Sequence, residues 1–257
     1  MSPVESKKPA GKTSKNIRAQ KTHKTGAIMR FPGSQPGGVR TMAEKFHTEL
    51  ETLKRDMLDM ARFSRNMLCD SMKALTAEDT EAAKDVVPGK KHIQETMIDL
   101  EERTYQLIAM NQPMAKDMRE LACMLKIVTS AERIGRYGKA IANMTKHVKG
   151  QPDFVQPLPV MHMAGLVTTM IDDAILAFET GSLEPIRDFS RRDDTVDSLW
   201  HSVFRETLTF MMENPKTITR GTYYIMVARY LERSADHACK MAENVHYMVT
   251  GDRIEIK

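Results

Sequence analysis

Leu231–Val245 reads LERSADHACKMAENV, and one hundred residues earlier Ala131–Thr145 reads AERIGRYGKAIANMT. Extended at that offset without a gap, Ile127, Ile134, Ile141 and Val148 stand over Val227, Ser234, Met241 and Met248. Ala131, Gly138 and Thr145 stand over Leu231, Ala238 and Val245. Each series steps by seven and the two lie three to four apart, which is the spacing of a coiled-coil-like apolar seam on a helix. A repeated seam helix predicts a repeated bundle.

The rest of the chain follows that division. From Met42 apolar residues recur by threes and fours (Phe46, Leu50, Leu53, Met57, Met60), predicting a long first helix that ends at TAEDTE, with Thr76 as the N-cap of the next. A second helical stretch runs to MNQP and breaks or kinks at Pro88-Gly89; a third has Pro113 in its first turn and continues to about Lys149. KGQPDFVQPLP is the clearest linker. Helices are then expected over about 158–180, 183–213 and 215–249, with Gly181 and Gly251 as stops and only the terminal RIEIK reading as a short strand. The prediction is an all-α tandem of antiparallel three-helix bundles, residues 42–150 and 158–250, after a disordered basic tail, 1–41.

Composition agrees: 21 methionines and 6% aromatic residues favour helix over sheet. The net charge of +4 misleads about partners. Residues 1–41 hold nine of the 38 Lys and Arg and one of the 34 acidic residues, leaving 29 basic against 33 acidic in the rest. The folded body is therefore not expected to bind nucleic acid, whereas the tail suits an anionic membrane or nucleic acid. Cys69, Cys123 and Cys239 form no CxxC pair and read as reduced thiols. No apolar run is read as long enough for a span of ~20 residues, and there is no secretory h-region, so a cytoplasmic protein is expected.

Two i,i+4 carboxylate pairs stand out: Asp193 and Asp197 on the fifth long helix, Glu232 and Asp236 on the sixth. Antiparallel packing of these helices would gather four carboxylates, which repel unless a cation neutralises them. Oxygen ligation suits magnesium, calcium, manganese or iron, while zinc prefers His or Cys. Each pair taken alone is ordinarily solvated charge, and the adjacent His201 and His237 are ordinarily surface groups.

The stretches ENPKTITRGTYYIMVARYLERSADHACKMAENVHYMVTG and NQPMAKDMRELACMLKIVTSAERIG resemble the second and first repeats of the PhoU family, over about residues 44–250. The QP or NP helix start, the D-x-R or TITR segment and the ER-x-x-D phrase carry the likeness. The resemblance implies a regulatory adaptor that is not an enzyme. It would restrain a phosphate ABC transporter through its nucleotide-binding subunit and pass its state to a sensor histidine kinase. It also implies a homo-oligomer, as a homodimer, and a metal cluster. Iron comes first for that cluster, before manganese, magnesium or zinc. Asp193, Asp197, Glu232 and Asp236 keep the family's ligand pattern. In the first repeat the matching positions are Lys90, Gln94, Glu132 and Arg136, so three of four carboxylates are missing and two positions are cationic. We expect Lys90 or Arg136 to neutralise Glu132, with Glu95 and Asp99 as a displaced pair.

Two other classes compete. A metal-free helical scaffold would need no site at all. A ferritin-like di-iron protein would need Glu and Glu-x-x-His on facing helices. EKFH (Glu44–His47) and ENVH (Glu243–His246) supply that triplet but at non-corresponding positions. No G-x-S-x-G elbow and no G-x-x-x-x-G-K-[ST] loop is present.

Overall fold

Thr41 opens the fold with a capping box: its Oγ1 accepts from the Glu44 N–H at 3.2 Å, and its own N–H donates to Glu44 Oε2 at 2.9 Å. The computed structural model describes residues 41–154 and 158–256. The basic stretch 1–40, with the disorder and anionic partners expected of it, lies outside the described residues. Among the described residues seven α-helices follow in order: α1 (Met42–Thr76), α2 (Thr80–Val86), α3 (Gly89–Asn111), α4 (Ala115–Val148), α5 (Val160–Thr180), α6 (Phe189–Glu213) and α7 (Ile218–Thr250). 3-10 turns at Glu184–Ile186 and Pro215–Thr217 lead into α6 and α7.

Six of the helices are the long ones expected; α2, at seven residues, is the piece cut off by the break expected at Pro88-Gly89. Pro88 separates it from α3, and its N-cap is Asp79, whose carboxylate accepts from the Glu81 and Ala82 N–H groups at 3.0 Å. Thr76, expected in that role, is the last residue of α1 and donates back to the Met72 carbonyl at 2.9 Å. Pro113 likewise lies before the N-cap Met114 rather than inside α4. Of the expected RIEIK strand, residues 253–256 are described and form none; the Ile256 N–H instead donates to Glu243 Oε1 at 2.9 Å.

Pairwise contacts give the helix directions. Lys54 meets Glu120 at 3.2 Å and the Gly150 N–H meets Glu78 at 2.9 Å, so α1 and α4 run parallel. Tyr137 stacks on Tyr230 and His147 on Tyr223, so α4 and α7 run antiparallel. Arg62 pairs with Glu179 and Arg65 with Asp172, both at 2.6 Å, making α1 and α5 antiparallel. These four helices form a closed ring, with α3 laid over α1 and α4, and α6 over α5 and α7. Leu50, Leu53, Met57 and Met60 are buried as their periodicity requires, while Met42, the first of that series, is 75% exposed. The seam residues Ile127, Ile134, Ile141, Val227, Leu231 and Val245 are all buried in one core that runs through both halves.

By length and apolar composition alone, the 21-residue α5 is long enough to cross a membrane. The sequence reading that no run is long enough overlooked it. Its Met163, Val167, Met170, Ala174 and Phe178 lie fully inside the helical core, which accounts for that composition.

Close approach of α1 to α4 depends on Gly138. A Cβ there would stand 2.8–2.9 Å from the backbone of Met67 and Leu68, atoms that cannot swing away. Gly138→Ala is expected to lower stability by about 1–2 kcal/mol in urea denaturation, overpacking outweighing the ~1 kcal/mol gain in helix propensity. An unchanged or raised midpoint would show that the helices part freely.

Candidate functional site

On α6, Asp193 and Asp197 lie one turn apart; on antiparallel α7, Glu232 and Asp236 do the same. The packing of α6 on α7 brings the pairs within electrostatic reach of one another. Burial, chiefly, pushes the Asp193 carboxyl up, and the charges of Asp197, Asp236 and Asp194 push it further; a hydrogen bond with the Cys239 thiol opposes them. Glu232 is pushed up to about 7, again by burial first and then by Asp236, with Asp197 adding and Arg229 opposing. Burial, then Asp193, holds the Cys239 thiol well above the usual range, so it serves Asp193 as a neutral donor.

Glu232 is 9% exposed. Its Oε1 accepts from Arg229, and its Oε2 is buried without a hydrogen-bond partner. A carboxylate oxygen in that state is costly, and a cation is one way to satisfy it. The all-oxygen donor set suits a hard cation in kind. Among the described residues, however, no group of three or more His, Cys, Asp or Glu side chains is arranged to hold a metal as it stands. Asp194 was not singled out from the sequence, and Cys239 was read there only as a reduced thiol, not as part of this site. Cys239 lies three residues from Asp236 and seven from Glu232, a spacing that puts it on the same face.

The first half solves the same electrostatic problem within one helix. Glu132, with a side chain only 7% exposed, accepts from Arg136 Nη2 at 2.6 Å and Nε at 3.2 Å. Arg133 stands 3.8 Å from its other oxygen. Lys90 donates to Gln94 at 2.5 Å, so Arg136 rather than Lys90 is the partner of Glu132. Glu95 and Asp99 are exposed and each is paired along its own helix, with Lys91 at 3.6 Å and Arg103 at 2.9 Å. His201 lies beside Trp200 on the exposed side of α6. His237 packs near Tyr137 with Nδ1 buried and unpartnered, and burial, then Lys240, pushes it down to about 4. The two Glu-x-x-His triplets are otherwise engaged: Glu44 caps α1, and Glu243 accepts from the Ile256 N–H.

Both halves match the family model described as the PhoU domain, at residues 57–145 and 160–245. A Clostridium acetobutylicum protein named phosphate-specific transport system accessory protein PhoU homolog is 30% identical over 82% of this chain and 97% of its own length. A Rhizobium meliloti protein of the same name is 32% identical over 80% and 87%. The crystal structure of PhoU from Pseudomonas aeruginosa superposes with a TM-score of 0.77 at 29% identity, covering 80% of this chain and 100% of that one. PhoU from Streptococcus pneumoniae, at 22% identity and a TM-score of 0.75, shares the fold.

Proposed function

The chain belongs to the PhoU family, and from that premise we propose that it is a non-catalytic regulatory adaptor of phosphate uptake. It acts in the cytoplasm as a homodimer, restraining a phosphate ABC transporter at its nucleotide-binding subunits and informing a sensor histidine kinase. The supporting observation is the family match over both helical halves, with relatives named as accessory proteins of the phosphate-specific transport system. Exposed Met110, Met114 and Met212, at the two helix corners before and after the QP and NP segments, give each half an apolar surface for a partner.

The test is phosphate uptake in phosphate-replete cells lacking the chain. Uptake is expected to rise and to fall again on complementation. Uptake indifferent to the chain would sink the proposal.

The proposal includes a cation, iron first, held by Asp193, Asp197, Glu232 and Asp236. The orphaned Oε2 of Glu232 supports it. Such an ion would neutralise the carboxylates and tie α6 to α7, and it would supply no reaction. The Arg229–Glu232 ion pair favours the second reading, a metal-free scaffold. Elemental mass spectrometry separates the two: metal is expected in the wild type, lost in Asp236→Ala and kept in Glu132→Ala. Equal loss from both variants, or none bound by the wild type, would leave the scaffold.

A further inference from the structure

Exchanging α4 with α7 at the offset of 100 residues should reproduce the seam between them, and on one side it does not. Where Tyr230 stacks on Tyr137 at 5.4 Å and His147 on Tyr223 at 5.1 Å, the seam is filled. At the exchanged positions Tyr230 becomes Ser130, Tyr137 becomes His237 and Tyr223 becomes Cys123. The small Ser130 side chain leaves a pocket of about 430 Å³. Its fittings differ too, with Thr129 where the filled side has Arg229 and Glu243 where it has Asn143. Lys126 stands where the filled side has Met226, Lys240 where it has Ala140, and Asn244 where it has Met144.

Arg253, brought back along α7 by the terminal segment, completes the rim with its guanidinium 4.7 Å over the Tyr247 ring. Three cations thus line the pocket with the hydroxyls of Ser130 and Tyr247 and the second N–H of the Asn244 amide, whose first donates to the Lys240 carbonyl at 2.6 Å; the Thr129 hydroxyl is already given to the Leu125 carbonyl at 2.8 Å. The one acid, Glu243, already accepts from the Ile256 N–H at 2.9 Å.

Cations converging on a concave site with neutral hydroxyl and amide donors recognise oxyanions. We propose that this pocket binds a phosphate-class oxyanion, either inorganic phosphate or the phosphate group of a nucleotide. Lys126, Lys240 and Arg253 supply the charge, and Ser130 supplies the space. The site is independent of the carboxylates of α6 and of any transporter partner.

Isothermal titration of the full chain with inorganic phosphate, and separately with a nucleoside monophosphate, tests it and distinguishes the two sources. Saturable binding of at least one probe is expected, the tighter probe identifying the source. Lys126→Gln/Lys240→Gln is expected to weaken that binding by roughly tenfold or more, since each replaced lysine removes a charge-assisted contact. A control Lys139→Gln/Lys146→Gln pair on the same helix should leave it unchanged. Ser130→Tyr, which installs the residue of the filled side, should abolish binding; should that buried substitution unfold the chain, the lysine variants decide alone. No saturable binding of either probe by the wild type, or binding that the Lys126/Lys240 variant holds within about twofold, would overturn the assignment.

Discussion

Glu78→Ala is expected to destabilise the protein by about 2–4 kcal/mol, and Arg220→Met by distinctly less. Arg220 sits at the start of α7 with only 5% of its surface exposed. Its Nη2 donates to Glu78 Oε1 at 2.5 Å and to the Gln151 carbonyl at 2.7 Å, and Nη1 lies 2.8 Å from Asp153. Asp153 is 84% exposed and therefore a weak counter-ion, so most of the compensation falls to Glu78. Glu78 also accepts from the Gly150 N–H at 2.9 Å, and these donors hold its carboxyl below the usual range, the Gly150 bond foremost.

Removing Glu78 leaves a guanidinium buried against two carbonyls and one solvated acid. Removing Arg220 leaves a half-exposed carboxylate that water and Gly150 can serve. The order of the two losses is the test, read from urea midpoints with unchanged m-values. If Arg220→Met proved the more damaging, its contacts with the linker carbonyls would outweigh the charge. The double variant is expected to recover much of the Glu78→Ala loss, because the orphaned charge goes with it.

That network shows where sequence reasoning stops. Glu78 and Arg220 are 142 residues apart, and nothing in either neighbourhood announces the other. The same holds for the seam pocket, since Ser130 is an unremarkable residue until Tyr230 is seen filling the equivalent place. What was legible rests on local period and local pairing. The seven-residue steps placed α4 and α7, and of the two cations expected to neutralise Glu132, Lys90 and Arg136, it is Arg136, one turn along the same helix, that does so. Boundaries failed where two local solutions compete. Thr76 and Asp79 both read as caps in the sequence, and Asp79 takes the role because it directly precedes α2 and its carboxylate reaches the Glu81 and Ala82 N–H groups, whereas Thr76 is still the last residue of α1. The four carboxylates were legible as two pairs on two faces, whereas the burial of Glu232 depends on how α6 covers α7.

Glu232 makes that burial measurable as a pH dependence. Its folded pKa of about 7 lies above the ordinary 4.5, so the metal-free folded chain holds a proton that the unfolded chain releases between those values. Stability contributed by the protonated acid is therefore complete below 4.5 and is lost as pH rises through 7. Asp193, also raised, acts with the same sign. His237, pushed down to about 4, acts oppositely below 6.5, so the clean quantity is the difference between wild type and Glu232→Gln. Metal-free Glu232→Gln is expected to match the wild type near pH 4.5 and to exceed it by up to about 3 kcal/mol at pH 8. A cation reverses the balance, because it binds the ionised carboxylate: added metal should stabilise the wild type most at high pH and leave Glu232→Gln little changed. A flat difference across the pH range would mean that Arg229 and water already satisfy Glu232 at no cost. A difference that opens with pH and does not close on adding metal would keep the buried charge and remove the cation, making Glu232 a strained member of a scaffold.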